Sequence, residues 1–212
     1  MSNRLLGFFS GFPNRSFPLE VAEKLREGLP HRSLLVFVSA WPDEFGRNDE
    51  DSAGMHGMFA EYDIAFDKHC VIDERMESLQ AAELIGLASC IFLMGGHPAK
   101  QLKLMRSKGL DKAIINSPGM VLGVSAGAIN MAKHSLDTKE SPLFYPGLAL
   151  ADITVKPHFE PENPQMLAEL MQVSRTLPIY AMEDDSSIFV KNGDITHTGR
   201  IHYISGGRVS VF

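Results

Sequence analysis

The sequence has few cysteines, no excess of positive charge and no long apolar run, and each shortage excludes a class of protein. Among its 212 residues are two cysteines, Cys70 and Cys90, without the CxxC or Cys/His spacing of a metal site. Each lies in an apolar run that predicts a strand, so we expect two buried thiols. No stretch approaches the ~20 apolar residues of a transmembrane helix, so we expect no membrane association.

The charge balance is mildly acidic. The 20 lysines and arginines are outnumbered by 26 aspartates and glutamates, which gives a formal net charge of -6. Because phosphate binding needs a basic face, we expect no nucleic-acid partner. The apolar run near the N-terminus is too short for a signal peptide, so we expect a cytoplasmic protein. The oligomeric state stays open, with a homodimer among the alternatives.

Apolar runs alternate with helical patterns over the first two-thirds of the chain. This alternation predicts an α/β fold with a mostly parallel sheet sandwiched by helices. In the last third, short strands separated by Asn192-Gly193 and Gly206-Gly207 predict antiparallel strands that close one edge of the sheet. No repeat or linker divides the chain, so we expect a single domain over residues 1–212. The predicted helices include 19–27, 53–66, 79–88, 99–106, 126–133 and 164–175, and the predicted strands include 5–10, 34–39, 68–72, 90–94, 120–124 and 179–182.

Open parallel sheets place their active sites at the carboxyl ends of the strands. The loops after Ser39, Met94 and Val124 are therefore the places to search. The third of these loops contains the pattern Gly123-Val-Ser125-Ala-Gly127, between an apolar strand and a helix. This is the context of a nucleophile elbow, in which small neighbours permit the strained turn that exposes the Ser125 hydroxyl. The alternative is a turn of small residues without chemistry.

The loop after Met94 begins with a glycine pair, Gly95 and Gly96, followed by His97 and Pro98. Glycines let the backbone approach a ligand and present its amides. The N–H groups of Gly96 and Ala126 could together form an oxyanion hole, with Gly95 and His97 as further substrate-binding positions. The alternative is a flexible turn with proline at the first helical position.

A serine nucleophile needs a base, and histidine suits neutral pH. Of the eight histidines, His158 in Lys156-Pro157-His158-Phe159 follows a short strand-like run at 153–155. A structural histidine is the alternative at this position.

Together these features resemble the dipeptidase E family of serine peptidases, which includes the cyanophycinases. The resemblance covers nearly the whole chain and rests on the ordered segments IFLMGGHPAKQL, LGVSAGAIN, PGLALADITVKPHFE and AMEDDSSIFV. It implies a fold like that of class I glutamine amidotransferases, with serine in place of the cysteine nucleophile. By position, Ser125 is then the nucleophile, His158 the base, and the Gly96 and Ala126 amides the oxyanion donors.

The resemblance leaves two candidates for the acid of the triad. Asp184 matches an acidic position that relatives carry after a late strand, and Asp137 lies between Ser125 and His158, where relatives also carry an acid. Either carboxylate could orient the imidazole. We favour Asp184, because it follows an apolar strand, and we set Glu160 aside as too near His158 in sequence.

Two departures from the family pattern bear on the substrate. Relatives usually carry asparagine where this chain has His97. Aspartyl-selective relatives use basic residues after the catalytic histidine, whereas this chain has Glu160 and Glu162, with Arg175 as the only nearby cation. The carboxylates would repel an acidic side chain, so the sequence argues against aspartyl selectivity.

The predicted function is hydrolysis of a short peptide or related amide through an acyl-enzyme, without metal or cofactor. An α/β-hydrolase esterase is disfavoured, because the chain after Ser125 predicts antiparallel strands instead of further parallel units. A glutamine amidotransferase would need cysteine at the elbow. A catalytically silent relative that acts as a binding or regulatory protein remains the main alternative.

Overall fold

The structure, a computed structural model, describes residues 4–138 and 144–212. Its strands are β1 (Leu6–Phe9), β2 (Leu34–Val38), β3 (Lys68–Ile72), β4 (Cys90–Leu93), β5 (Met120–Val124), β6 (His134–Leu136), β7 (Phe144–Pro146), β8 (Val155–Lys156), β9 (Ile179–Met182), β10 (Ser187–Lys191), β11 (Asp194–Thr198), β12 (Ile201–Ser205) and β13 (Arg208–Val211). Its helices are α1 (Leu19–Gly28), α2 (Phe45–Ala60), α3 (Ser78–Leu87), α4 (Pro98–Ser107), α5 (Leu110–Asn116), α6 (Ala126–Met131) and α7 (Pro164–Val173). None of these described helices has the length and apolar character that crossing a bilayer requires.

The main sheet has seven strands in the order β11-β10-β1-β5-β4-β2-β3. The five strands from β1 to β3 run parallel to one another, whereas β10 is antiparallel to β1 and β11 is antiparallel to β10. The predicted fold class, a mostly parallel α/β sheet with antiparallel strands near the C-terminus, is confirmed. Since β1, β5 and β4 are adjacent and parallel, the loops that follow them meet at one end of the sheet.

Successive residues of the parallel strands pack on opposite faces of the main sheet. Phe8, Val36 and Ile91 belong to one buried cluster with residues of α3 to α6. Their neighbours Phe9 and Phe37 belong to a second cluster with residues of α1 and α2. Helices therefore cover both faces, which explains why the inner strands β2, β4 and β5 are apolar along nearly their whole length.

The last strands divide between two sheets. The predicted closure of the main sheet is correct for β10 and β11 and wrong for β9, β12 and β13, which form a second sheet in the order β13-β12-β9-β8. The chain changes sheets in the turn between β9 and β10, where Asp185 has a φ of 63°. A short apolar strand has the same composition in either sheet, so its sequence carries no signal for its partner. The strands β6 and β7, which the sequence did not predict, form a separate antiparallel ribbon.

Helix α2 begins and ends earlier than the sequence predicts. It covers Phe45–Ala60, against the predicted 53–66. Its first half contains the buried polar residues Asn48 and Ser52, which interrupt the apolar period that would have indicated a helix. After it, Asp63 has a φ of 59°, which ends the helical backbone before residue 66.

The two cysteines differ in burial. Cys90 in β4 is fully buried as predicted, whereas Cys70 in β3 is half-buried, and both are free thiols. Burial raises the pKa of each thiol. Both sulfurs therefore stay protonated near neutral pH and are poor nucleophiles.

Candidate active site

Ser125 lies in a sharp turn between β5 and α6. Its backbone has a φ of 50° and a ψ of -108°, its N–H donates to the carbonyl of Phe9 (2.9 Å), and its carbonyl accepts from the N–H of Ile129 (3.0 Å). Glycine is required at the positions on either side, because other backbone atoms lie too close there to admit a Cβ. A Cβ on Gly127 would collide with the Leu93 carbonyl, and one on Gly123 would lie 2.6 Å from the Gly127 backbone. The sequence pattern thus has a steric cause, and the turn presents the Ser125 hydroxyl at the end of the sheet.

His158 follows β8 and also has a positive φ, 53°. Its Nε2 lies 2.9 Å from Ser125 Oγ, and its Nδ1 lies 2.7 Å from Asp184 Oδ1. The side chains of His158 and Asp184 are 50% and 41% exposed, so the pair is open to a ligand. If Nδ1 carries the proton donated to Asp184, Nε2 is free to accept the proton of Ser125. The three side chains therefore have the order and spacing of a Ser-His-acid triad.

The structure brings Asp184, and not Asp137, to the imidazole. Asp184 follows β9, which is the parallel neighbour of β8, so the loops that begin at Pro157 and Glu183 leave the small sheet side by side. Asp137 lies at the end of β6, where it is buried (6% exposed). Both ring nitrogens of His158 are already engaged, by Ser125 and Asp184.

The sequence analysis missed Ser10, which is fully buried at the carboxyl end of β1. Its hydroxyl accepts the N–H of His158 (2.7 Å) and lies within donor distance of the Met182 carbonyl (3.0 Å) and Asp184 Oδ1 (3.2 Å). One small side chain thereby ties β1 to the two loops that carry the imidazole and its carboxylate. Ser10 ends a predicted strand next to β5, so the rule that directed the search to strand ends would have found it.

The next residue, Gly11, lies directly against the His158–Asp184 pair. A Cβ at this position would lie 2.6 Å from His158 Cε1 and 2.7 Å from Asp184 Oδ1. Its carbonyl accepts the N–H of Asp185 (2.8 Å). Only glycine leaves the imidazole and carboxylate their present positions, so Gly11 is a second residue that the sequence analysis overlooked.

Two of the residues predicted to bind the oxyanion or substrate, Gly95 and Ala126, are neighbours of Ser125. A Cβ on Gly95 would lie 3.6 Å from Ser125 Cβ, so these two residues are neighbours. Gly96 has a φ of 141°, and a side chain there would meet Ala40 and Trp41. Ala126 is the first residue of α6, so its N–H has no intrahelical acceptor.

His97 lies between the glycine loop and α4. It precedes Pro98 at the start of α4, its carbonyl accepts the N–H of Gln101 (3.1 Å), and its ring packs edge-on against Trp41 with centroids 5.9 Å apart. Pro98 occupies the first turn of α4, as the sequence predicts. These contacts join the end of the glycine loop to Trp41 and to the first turn of α4.

A large open cavity lies beside His158. This histidine-side cavity has a volume of about 870 Å³, and its charged lining residues are Glu160, Glu162, Glu183, Asp184 and Arg200. Glu183 is paired with His202 at 2.8 Å. The predicted cation Arg175 lies elsewhere, against the turn at Gly207 between β12 and β13. Arg200, which the sequence did not single out, is the guanidinium that lines this cavity.

A second, smaller pocket lies on the Gly95 side of the nucleophile. This methionine pocket has a volume of about 240 Å³ and is lined by Met55, Met58, Met94, Gly95 and Val124. Three charged residues also line it: Arg15 and Glu50, which are exposed, and Asp51, which is partly buried. The candidate site therefore has two unlike sides, one acidic and open and the other largely apolar.

Asp185, the neighbour of Asp184, has a shifted pKa. Partial burial raises the pKa of this carboxyl, and the negative charge of Asp184 raises it further. Its position in the tight turn after β9 forces the two carboxylates together. Within the described residues, no group of three or more histidine, cysteine, aspartate or glutamate side chains is arranged to hold a metal ion.

Comparison with known proteins gives consistent matches. The sequence model of peptidase family S51 matches residues 45–198, more than half of the chain. Peptidase E of Haemophilus influenzae is 27% identical in an alignment 140 positions long. This alignment covers 58% of this chain and 64% of that protein, so it spans less than two thirds of the relative. Among solved structures, a provisionally named peptidase E from Listeria monocytogenes EGD-e has a TM-score of 0.69 at 16% identity, covering 92% of this chain and 98% of that one. A peptidase from an acI-B1 Actinobacterium has a TM-score of 0.63 at 17% identity, covering 99% and 97%.

Proposed function

Because this chain belongs to peptidase family S51, we propose that it is a serine hydrolase that cleaves short peptides or related amides through an acyl-enzyme. The observation that carries the proposal is the hydrogen-bonded series Ser125–His158–Asp184, with distances of 2.9 and 2.7 Å. These three side chains come from two sheets, and no structural requirement of either sheet explains their meeting. A nucleophile, a base and an orienting acid in this order are the parts that acyl transfer needs.

In the first half of the proposed reaction, Ser125 Oγ attacks the substrate carbonyl while His158 Nε2 accepts the hydroxyl proton. The C–O bond forms, and the carbonyl electron pair becomes an oxyanion that the N–H groups of Gly96 and Ala126 stabilise. The oxyanion collapses, the C–N bond breaks, and the imidazolium donates its proton to the departing amine. Asp184 stabilises the charged imidazolium between these steps.

In the second half, water replaces the amine. His158 Nε2 accepts a proton from water as the water oxygen attacks the ester carbonyl of Ser125. The second oxyanion collapses, the bond to Ser125 Oγ breaks, and the imidazolium returns the proton to that oxygen. The products are a carboxylic acid and the free enzyme.

The charge of the histidine-side cavity argues against an acidic substrate group there. Glu160 and Glu162 are exposed in its wall, and Arg200 is the single guanidinium among its lining residues. Carboxylates near a binding site repel a like charge and favour an ammonium group. We therefore propose that the substrate presents a neutral or positively charged group to this cavity.

The test is a comparison of wild type with Ser125→Ala and His158→Ala. Each variant should lose at least about 10³-fold in kcat/KM on a cleaved dipeptide while the protein stays folded, because the triad acts as a unit. The measurement is a dipeptide-library screen by mass spectrometry, with circular dichroism to establish folding. The exposed Ser210→Ala in β13 is the matched control.

A fluorophosphonate probe separates this proposal from the alternative of a catalytically silent binding protein. We expect the probe to label Ser125 in wild type and in Ser210→Ala, and not in Ser125→Ala. Folded wild-type protein that stays unlabelled and cleaves no peptide would contradict the proposed function and support the binding alternative.

A further inference from the structure

The methionine pocket borders the nucleophile on the side of Gly95. His158 donates its proton to the departing amine, so the leaving group faces the histidine-side cavity. The acyl part then extends to the other side of Ser125, toward Gly95. These two residues are neighbours, since a Cβ added to Gly95 would lie 3.6 Å from the Cβ of Ser125. Gly95 and Val124 border both the nucleophile and the methionine pocket.

We propose that the methionine pocket is the subsite for an apolar side chain on the residue whose carbonyl Ser125 attacks. The inference rests on the proposed function and names its substrate class: peptides with a leucine-like or methionine-like residue before the scissile bond. Aspartyl peptides, in contrast, carry an acidic residue before the scissile bond.

The walls of the pocket have a simple structural origin. Helix α2 lays Asp51, Met55 and Met58 along one face, since residues three and four positions apart are neighbours on a helix. Met94 directly follows β4, and Val124 directly precedes the nucleophile. Met58 and Met94 are buried, at 6% and 3% exposure, so the floor of the pocket is made of thioether and branched aliphatic groups.

Such a floor suits an apolar side chain of adaptable shape. Methionine is flexible and polarisable and packs against varied apolar groups. A carboxylate placed there would lose hydration without gaining a buried donor, which is costly. A volume of about 240 Å³ has room for one side chain of the size of leucine or methionine.

The charged residues of the pocket lining also disfavour an acid. Glu50 and Asp51 oppose one guanidinium, that of Arg15, and Asp51 is in an ion pair with Arg47 at 3.3 Å. Arg15 is nevertheless the residue that would hold an acidic side chain if the pocket were built for one. It lies in the loop between β1 and α1, where its φ is 52°. The experiment must therefore separate the thioether floor from Arg15.

The primary measurement is kcat/KM for the dipeptide amides X-Ala-NH2, where X is Leu, Met, Phe, Ala or Asp, because the amide places no carboxylate in the acidic histidine-side cavity. Wild type should prefer Leu and Met over Ala by at least about 10-fold, because each added methylene in an apolar pocket contributes about 10-fold or more. Asp-Ala-NH2 should be the poorest substrate. Arg15→Gln should not lower the ratio of Leu to Asp turnover.

Variants at Met55 test the apolar lining of the pocket directly. Met55→Arg should lower the Leu-to-Asp ratio by at least about 10-fold, since it replaces apolar surface with a cation. The matched control is Leu79→Arg, which makes a similar change at a site that is 75% exposed on α3 and should leave the ratio unchanged. Met55→Ala adds no charge and enlarges the pocket. It should therefore raise kcat/KM for the Phe substrate relative to the Leu substrate.

Diphenyl phosphonates with isobutyl or carboxymethyl side chains provide a readout that does not depend on turnover. Intact-mass spectrometry should show faster labelling of Ser125 by the isobutyl reagent. A preference for Asp that Arg15→Gln abolishes would overturn the subsite proposal. Equal effects of Met55→Arg and Leu79→Arg on the Leu-to-Asp ratio would also overturn it. In either case, cleavage that depends on Ser125 would leave the proposed function intact. If neither reagent labels Ser125 and no dipeptide is cleaved, the proposed function itself fails.

Discussion

Ser125 and His158 both adopt positive φ angles, 50° and 53°. L-residues rarely adopt this conformation, which costs about 1–3 kcal/mol where the structure enforces it. Backbone hydrogen bonds hold each residue in place: Ser125 N–H to the Phe9 carbonyl, and His158 N–H to Ser10 Oγ. The packed neighbours thus stabilise a local geometry that the isolated loops would not keep, and the hydroxyl and imidazole meet as a result.

At the same scale, the acid of the triad can be tested by a paired substitution. Asp184→Asn should lower kcat by at least about 10²-fold, because an amide no longer stabilises the imidazolium and favours the wrong tautomer. Asp137→Asn should have a much smaller effect on kcat. Steady-state kinetics on one cleaved dipeptide gives both values, and the reverse ranking would make Asp137 the functional acid.

Asp185 offers a prediction about pH. Its pKa is raised by burial and by the charge of Asp184, so the folded state holds this proton up to a higher pH than the unfolded state does. Folding stability therefore falls as the pH rises from the ordinary aspartate pKa through the raised pKa, and the cost is fully present above it. Asp185→Asn should raise the Tm at pH 7 and have little effect near pH 3, where both states are protonated. Asparagine tolerates the φ of 63° at this position.

The measurement for this prediction is thermal unfolding, followed by circular dichroism, at pH 3, 5 and 7. Asp67→Asn, at an exposed position before β3, is the control and should not show the same dependence. An Asp185→Asn stabilisation that is equal at all three pH values would contradict the electrostatic cause.

At the scale of elements, helix α2 is positioned by a buried polar network. Asn48, which is 2% exposed, accepts from Ser39 Oγ (2.7 Å) and donates to the Trp41 carbonyl (3.0 Å) and to Asp73 Oδ2 (3.1 Å). Arg75 then pairs with Asp73 at 2.7 Å. These bonds join the start of α2 to the loops after β2 and β3, and α2 forms one wall of the methionine pocket.

Asn48→Ala should therefore destabilise the protein by about 1–3 kcal/mol, because it leaves buried partners without a hydrogen bond. It should also lower the preference for apolar substrates, since α2 loses its anchor. Urea unfolding gives the stability change, and Asn116→Ala at the exposed end of α5 is the control. Equal stability of the two variants would show that the network does not hold the helix.

At the scale of the whole molecule, the triad depends on two sheets that share a core. Val155, Met182 and Ile201 of the small sheet belong to the same buried cluster as Leu93 and Val121 of the main sheet. Ser125 follows a strand of the main sheet, whereas His158 and Asp184 follow strands of the small one. A common core means that neither sheet can unfold without exposing apolar surface of the other.

We therefore expect a single cooperative unfolding transition in urea. Far-UV circular dichroism and fluorophosphonate labelling of Ser125 should lose their signals at the same midpoint, as two-state domains do. Loss of labelling at a lower urea concentration than the loss of helical signal would divide the chain into two folding units, against the predicted single domain.

The sequence by itself determined the features that depend on neighbouring residues. The bounds of β3, β5 and β9 match the predicted strands. For β5 and β9 the reason is that largely buried strands are continuous apolar runs. The turn at Ser125 was also predicted, since Gly123 and Gly127 are sterically required within a few residues of it. Apolar periodicity and turn chemistry are local, and both can be read from a short window.

Only the tertiary structure decided which distant side chains meet. Asp184 reaches His158 because β8 and β9 pair in parallel, and Asp137 does not because β6 pairs with β7 instead. The same holds for the cations: Arg200 lines the histidine-side cavity and Arg15 the methionine pocket, while Arg175 lies at a remote turn. Strand partners are determined by the packing of the whole core. The local sequence around an acid or an arginine therefore does not indicate which distant residue it will contact.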